Sequence, residues 1–422
     1  MDYIVETKTQ LDYLENRGYK EAFIKVIPCD PFSNPASGLE ISLIYIKPLD
    51  GKAVMLGLSH SETYSLNGED VINYLKTFDV LYCLDKKELL HYYPLGSLKD
   101  LFLPPKTYKE PENSVFSHFY RKKSLYSRVN YLIPLSKHYE HCENIYEEIN
   151  ETFTQQKDEY YEFYQRRIPQ VFAAIERNGL RVDSRLFEEF FHPTESNMVY
   201  TQYNCKTLTG RPSNRFRGVN YAALNKENGC RQAFIPRNDE LVEMDISAYH
   251  PTLVGKLVDY TFDDLDIHNS FAKMYGVSYA KSKELTFKQL YGGVFKQYEN
   301  LEFFKKVQEY IKNIWTDFNS KGYVKVPVSN YKLKKFELTD MNPQKLFNYI
   351  LQGLETATNV VILFDILKEL RGCKTKLVLY TYDSFLFEFD DTEVDTIKKV
   401  KSVLESFGFP VKADWGSDYS KI

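Results

Sequence analysis

Two short apolar runs, each ending on an aspartate, constrain this chain more than any other feature. Leu241-Val-Glu-Met-Asp245-Ile-Ser-Ala-Tyr-His250-Pro251 reads as a strand that ends at Asp245 and turns at once into a helix. Ser247 is its helix-capping candidate, with Leu253, Val254 and Leu257 as the buried face. Lys376–Asp390 reads as a β-hairpin: LVLYTY, a turn at Asp383-Ser384, then FLFEF with Phe385, Phe387 and Phe389 on one face. Carboxylates at two strand ends can converge on two Mg²⁺ ions roughly 4 Å apart. Mg²⁺ suits such a site because it takes oxygen ligands and keeps waters and substrate phosphates in its shell. From spacing alone, the commoner alternative is a pair of ordinary exposed turn aspartates.

The 422 residues are 43% hydrophobic and 15% aromatic, enough to build two or three packed domains. The net charge of −4 argues against a generic basic nucleic-acid coat, but the charge is segregated. Residues 206–237 hold seven Lys/Arg against one Glu, and 321–336 hold five Lys and no acid. Residues 139–162 hold eight acids against one Lys. The six cysteines are scattered without a CxxC pair, as in a reduced cytosolic protein without structural zinc. His138, His141 and Cys142 are close in sequence but lie on a polar helical stretch, where a solvated face is the commoner reading. The polar start MDYIVETKTQ does not read as a signal peptide, and no apolar run approaches the ~20 residues of a membrane span. A cytoplasmic protein with no membrane partner is the expectation.

Residues 1–103 alternate strand-like and helical runs: strands at Ala22–Ile27, Leu39–Ile46, Lys52–Leu58 and Val80–Leu84, helices at Glu69–Lys76 and Lys86–Tyr92. That pattern predicts an α/β domain with a mixed sheet. The Pro-rich, charged stretch 104–124 reads as a linker. Ser136–Arg167 is long, polar and helical, Ile168–Asn178 continues it with more apolar residues, and Gly179 ends it. Residues 192–220 are loop-like, helices dominate 249–318, Tyr323–Val328 reads as an edge strand, and Met341–Leu370 is mostly helical. In Tyr279–Gly293, Lys283, Phe287 and Tyr291 recur every four residues and share a helix face. Lys283 could hold a phosphate, and the two rings could stack a base or sugar. An amphipathic helix with its aromatics in the core would show the same spacing.

Taken together, these segments resemble family A DNA polymerases, the class of bacterial DNA polymerase I and many phage replicases. Lys283-x3-Phe287-x3-Tyr291-Gly292 resembles the fingers helix of that family. In chain order, Ala174–Asp183 resembles the helix leading into the polymerase domain, and VYTQYNCKTL with Thr209-Gly210-Arg211 resembles the TGR loop at the duplex. Arg231–Ile235 followed by LVEMDIS resembles motif A, Asp266–Ala272 the DIH segment, Asn348–Gly353 the minor-groove Gln-Gly element, and Tyr382-Asp383-Ser384 motif C. The matches cover roughly 170–390.

The resemblance implies an α+β multidomain chain: an exonuclease-like α/β N-terminal domain, then a right-hand polymerase with an antiparallel palm sheet, helical fingers and a reduced thumb. The implied divisions are 1–103 (exonuclease-like, inactive), 104–135 (linker), 136–205 (helical connection and reduced thumb), 206–275 (palm), 276–350 (fingers) and 351–422 (palm). It implies template-directed extension of a primer 3′-OH with dNTPs by two-metal phosphoryl transfer, in phage genome replication within the host cytoplasm. Asp245 and Asp383 would hold two Mg²⁺, with Mn²⁺ as a substitute. Lys283, Phe287, Tyr291, His250, His268 and Lys281 would contact the nucleotide. Thr209, Arg211, Asn220, Arg231 and Gln352 would contact DNA. Primer-template DNA, dNTPs and a processivity factor or other replisome proteins would be partners.

Departures from the family pattern qualify this. Tyr279 stands where motif B has its Arg, with Lys281 nearby as a replacement. His250 replaces the Glu that excludes a ribose 2′-OH, and Ser384 replaces the second carboxylate of motif C, for which Glu388 and Glu243 are the weaker substitutes. Only about 25 residues separate Asp183 from Thr209, where the family inserts a long helical thumb. Proofreading needs Asp-x-Glu at the first strand end; here that end reads Pro28-Cys29-Asp30-Pro31-Phe32, and Asp85-Lys-Lys-Glu88 is at best a relic of a second motif. Two further readings are a related polymerase with rNTP or RNA-template use, and a catalytically silent nucleic-acid-binding protein.

Overall fold

The computed structural model describes residues 3–109, 128–154, 157–194, 196–214, 219–264 and 266–422. The chain divides into two compact units, residues 1–161 with 168–173, and residues 162–167 with 174–422.

In the first unit, a six-stranded mixed sheet runs β1(Ile4–Val5), β4(Val54–Gly57), β3(Ile41–Pro48), β2(Glu21–Pro28), β5(Val80–Cys83), β6(Leu98–Asp100). β2, β3 and β4 form an antiparallel meander, and β5 and β6 add in parallel beyond β2. The expected strands are present within a residue or two, because both sheet faces are covered and each strand is nearly continuously apolar. Alternate side chains feed two cores. Ala22, Ile24, Ile44 and Ile46 join α1(Lys8–Glu15), α2(Gly68–Leu75) and α3(Lys86–Tyr92) on one face. Phe23, Ile27, Leu43 and Tyr45 pack on the other face against Leu135, Cys142, Ile145 and Ile149.

Those last four residues correct the expected division at 103. They lie on α5(Leu135–Ile149), which follows the short α4(Val129–Leu132) and belongs to this unit. The sequence reading weighed the acidic face and overlooked the apolar stripe at helical spacing on its other side. The long helical stretch is also two helices, since a 3₁₀ segment at Asn150–Thr154 separates α5 from α6(Glu159–Asn178). The end of the expected linker is built in: Asn130 donates through Nδ2 to the Pro28 carbonyl at 2.8 Å. The centre of that linker, residues 110–127, lies outside the described residues. Asp85 is the N-cap of α3 and accepts from the Glu88 amide at 3.1 Å.

In the second unit, α6 ends at Gly179, whose φ of 60° is the left-handed C-terminal position expected there. Between Asp183 and Thr209 the described residues form only α7(Ser184–Phe190) and β8(Met198–Val199), paired to β7(Leu180–Arg181). The central sheet is antiparallel in the order β12(Lys376–Thr381), β13(Ser384–Phe389), β9(Glu240–Ile246), β14(Val411–Gly416). β12 and β13 are the expected hairpin; β14, on the far side of β9, was not anticipated. α8(Tyr249–Leu257), α9(Ile267–Tyr275), α10(Tyr279–Gly292) and α11(Glu302–Lys321) follow β9. The expected edge strand is a hairpin arm, β10(Tyr323–Lys325) against β11(Lys332–Lys334). α12(Pro343–Glu369) crosses the expected division at 350 without a break. It is also long and apolar enough to cross a membrane, contrary to expectation, but 72% of its apolar window is buried, the condition of a core helix. α13(Val394–Ser406) packs along it.

His138 tests the first unit. It is 2% exposed and donates through Nε2 to the Asn130 carbonyl at 2.9 Å, beside the buried His60. Burial, aided by the charges of His60, His141 and Lys25, pushes its pKa down to about 4. A depressed His contributes stability that is complete above its unfolded pKa and lost as pH falls toward the folded value. Denaturant titrations should lose about 3 kcal/mol from this group between pH 7 and pH 4. The His138→Gln variant should flatten that acid limb; an unchanged pH profile would reject the assignment.

Candidate functional site

β9 and β13 pair with Asp245 opposite Ser384, and the Ile246 amide donates to the Asp383 carbonyl at 2.9 Å. This register brings the two aspartates to the same sheet end. Burial, then the charges of Asp383 and Glu243, pushes the Asp245 carboxyl up to about 6. Burial also raises the Asp383 carboxyl, against its own backbone amide, and the Glu355 charge adds to it.

The turn between β12 and β13 is one residue earlier than expected, at Tyr382-Asp383. Tyr382 adopts φ of 65°, a left-handed position that glycine usually fills in such hairpins. A bulky residue there is strained by roughly 1–2 kcal/mol. The surroundings hold it. The fully buried Asn359 donates to the Tyr382 carbonyl at 2.7 Å and to the Tyr380 hydroxyl at 2.8 Å, and accepts from the Tyr249 hydroxyl at 2.6 Å. The Arg211 guanidinium lies 3.6 Å from the centre of the Tyr382 ring. On the other strand, Ser247 does not cap α8. The N-cap is Ala248, left-handed at φ 51°, while the Ser247 amide donates to the Pro410 carbonyl at 2.9 Å.

Lys283, Phe287 and Tyr291 do share one face of α10. The rings of Phe287 and Tyr291 are parallel with centroids 6.1 Å apart, and Phe287 is 40% exposed. The Lys283 ammonium sits 4.8 Å from the centre of the Tyr279 ring. His268 is buried with its ring 5.8 Å from Tyr279; burial, reinforced by Lys283, lowers its pKa. Lys281 does not join this face. It is two residues from Lys283, hence on another side of the helix, and pairs with Glu284 at 2.8 Å.

The Tyr291 hydroxyl hydrogen-bonds His250 Nδ1. Thr209 donates to Gln352 Oε1 at 3.3 Å, joining the TGR loop to α12. Gly353 follows; a Cβ there would meet both Val326 methyls at 3.0 Å and the Thr209 carbonyl at 3.2 Å, so any larger residue would have to push its neighbours aside. Arg231 is not displayed toward a ligand. It is 9% exposed, 4.5 Å from the Tyr419 ring centre, and donates to the Leu224 carbonyl. Asn220 opens the 3₁₀ turn Tyr221–Ala223, beside residues 215–218 that lie outside the described set. Glu388 is committed to Arg237, and Glu243 accepts from Ser384 at 2.6 Å and Tyr419 at 3.0 Å.

The residue that the sequence reading missed is Glu355. It is 1% exposed, on α12 three residues after Gln352 and four before Asn359, so all three share one helix face. Its carboxylate meets both Arg211 and His250. The available signal was a single acid inside the apolar run NYILQGLETATNVVILF.

Two carboxylates at one sheet end, Asp245 partly buried and Asp383 exposed, both held above the usual carboxylate range, fit a hard cation. Among the described residues, no group of three or more His, Cys, Asp or Glu assembles as a complete cage. Asp245 and Asp383 would therefore leave most of the shell to water and phosphate oxygens, as Mg²⁺ prefers.

No family model matches the sequence, and no curated protein matches it. Solved structures do match. The POL domain of Pol1 from M. smegmatis, in complex with DNA primer-template and dNTP, aligns with a TM-score of 0.71 at 12% identity, over 99% of this chain and 99% of that one. The two chains share a fold.

Removing one charge of the pair should relieve their repulsion when no divalent ion is present. Asp245→Asn should unfold later than wild type at pH 8 in chelator, by about 1 kcal/mol after allowance for partial exposure. Millimolar Mg²⁺ should raise the wild-type Tm and leave that of Asp245→Asn unchanged. Equal Mg²⁺ shifts in both proteins would exclude a metal role for Asp245.

Proposed function

We propose that this chain is a template-directed DNA polymerase that extends a primer 3′-OH with dNTPs. The observation that carries the reading is the β9–β13 register, which sets Asp245 beside Asp383 at the end of an antiparallel sheet. The shared fold with a POL domain bound to primer-template and dNTP supports it.

Asp245 and Asp383 would hold Mg²⁺, which when bound activates the attacking hydroxyl and neutralises charge on the leaving pyrophosphate. Lys283 supplies a point charge for the nucleotide phosphates at the exposed start of its helix face. Phe287 and Tyr291 offer parallel rings, Phe287 near the base or sugar and Tyr291 at the templating position. His268, kept neutral by burial, can donate one hydrogen bond to a phosphate oxygen. Arg211 and Gln352, on elements joined by the Thr209–Gln352 hydrogen bond, would contact the duplex. Catalysis on this reading is mostly positioning and charge neutralisation.

For the first unit we infer an exonuclease-like fold without exonuclease activity. Its strand arrangement supports the fold. Its side chains argue against the activity. Asp30 at the end of β2 accepts from the Phe32 amide at 2.8 Å and the Ser33 hydroxyl at 2.6 Å, Asp85 caps a helix, and Glu40 is paired with Arg128 at 2.6 Å.

Primer extension with Mg²⁺ and dNTPs tests the main reading. The wild type should extend a primer by copying the template, chelator should stop it, and Asp245→Ala and Asp383→Asn should each lose about a thousandfold in rate or more. Extension that survives Asp383→Asn would remove the assigned mechanism. A labelled primer with a 3′ mismatch should keep its length without dNTPs; metal-dependent shortening would show that the first unit is active.

A further inference from the structure

Glu355 takes no direct part in the reaction just described, yet it touches Arg211, assigned to the duplex, and His250, which the sequence pattern puts at the nucleotide. Its Oε2 lies 3.2 Å from Arg211 Nε and 3.2 Å from His250 Nε2, and Oε1 accepts from Arg211 Nη2 at 3.4 Å. The contacts to Oε2 are within ion-pair distance but off the hydrogen-bonding direction. Such contacts in unliganded sites often tighten when the ligand arrives. A buried carboxylate is costly unless paired, and the guanidinium beside it cannot lose its proton.

The same carboxylate orients the imidazole. A carboxylate accepts, so it favours the ring tautomer with the proton on Nε2. Nδ1 is then left to accept from the Tyr291 hydroxyl, its partner in the structure. One side chain on α12 thereby joins four elements: the TGR loop, α8 behind Asp245, α10 through Tyr291, and through Arg211 the Tyr382-Asp383 turn.

We propose that Glu355 is a positioning residue for nucleotide selection. It fixes His250 and, through it, Tyr291 as the wall on the sugar side of the nucleotide pocket, and it holds Arg211 over the turn that carries Asp383. The inference rests on the polymerase reading. A carboxylate serving only stability would have no reason to pair with two groups of the site and, through one of them, with a third.

Steady-state extension by the full chain with each dNTP and its rNTP tests this. Glu355→Gln keeps the shape and removes the charge. It should raise KM for dNTP about tenfold with a smaller change in kcat, and lower dNTP-over-rNTP discrimination by about tenfold. Glu355→Asp, which keeps the charge, should recover part of that discrimination. Glu355→Gln combined with His250→Gln should discriminate no worse than His250→Gln alone, because both act through one ring. Wild-type discrimination in Glu355→Gln, or additive losses in the double variant, would overturn the proposal. If Glu355→Gln does not fold by circular dichroism, Glu355→Asp and His250→Gln carry the same cycle. A wild-type chain that extends no primer sinks the polymerase reading and this inference together; an active wild type with an unchanged Glu355→Gln sinks the inference alone.

Discussion

The second unit is arranged around an electrostatic conflict. Antiparallel pairing of β9 with β13 brings two carboxylates, Asp245 and Asp383, to one sheet end, where both bind a proton more readily than a free carboxylate. Folding alone would not choose this arrangement, since like charges held side by side cost free energy unless something neutralises them. The neighbouring structure is consistent with tolerating that conflict rather than relieving it. Asn359 spends both its donor and its acceptor capacity on Tyr380, Tyr382 and Tyr249, and so fixes the turn that carries Asp383. Tyr382 stays in a left-handed conformation that a bulky residue would leave if it were free.

The face of α12 that meets this turn is polar within an otherwise apolar helix. Gln352, Glu355 and Asn359 lie on one side, while Leu351, Leu354, Val360 and Leu363 fill the core. That division explains why a helix apolar enough to span a bilayer is a core helix here: its apolar residues fill the core, while Gln352, Glu355 and Asn359 meet polar groups within the unit. Gly353 adds the close crossing with Val326 and the Thr209 carbonyl. The loop, the hairpin and the helix are thus coupled by contacts that leave little freedom for any one of them to move alone.

The two units differ in how legible they are in sequence. The strands of the first unit read correctly because apolar β-runs bounded by turn residues are a local signal. Helix α5 was misassigned because its acidic face dominates composition, while Leu135, Cys142, Ile145 and Ile149 mark the buried stripe. The shared face of Lys283, Phe287 and Tyr291 was legible because helix periodicity is also local. The exclusion of Lys281 follows from the same periodicity, and its capture by Glu284 needed the structure. Arg231 lies in a basic stretch, yet the Tyr419 ring and a backbone carbonyl hold it inward.

The sequence by itself determined the element types, the two aspartates at strand ends and the aromatic face of α10. All of these depend on residues a few positions apart, where backbone geometry fixes the relation. Only the tertiary structure decided which strand lies beside which, that the turn falls at Tyr382-Asp383, and that β14 completes the sheet. It alone revealed Glu355, because a buried acid is defined by what surrounds it. Arg211 and His250 are 144 and 105 residues away in sequence, and no local pattern links them to it.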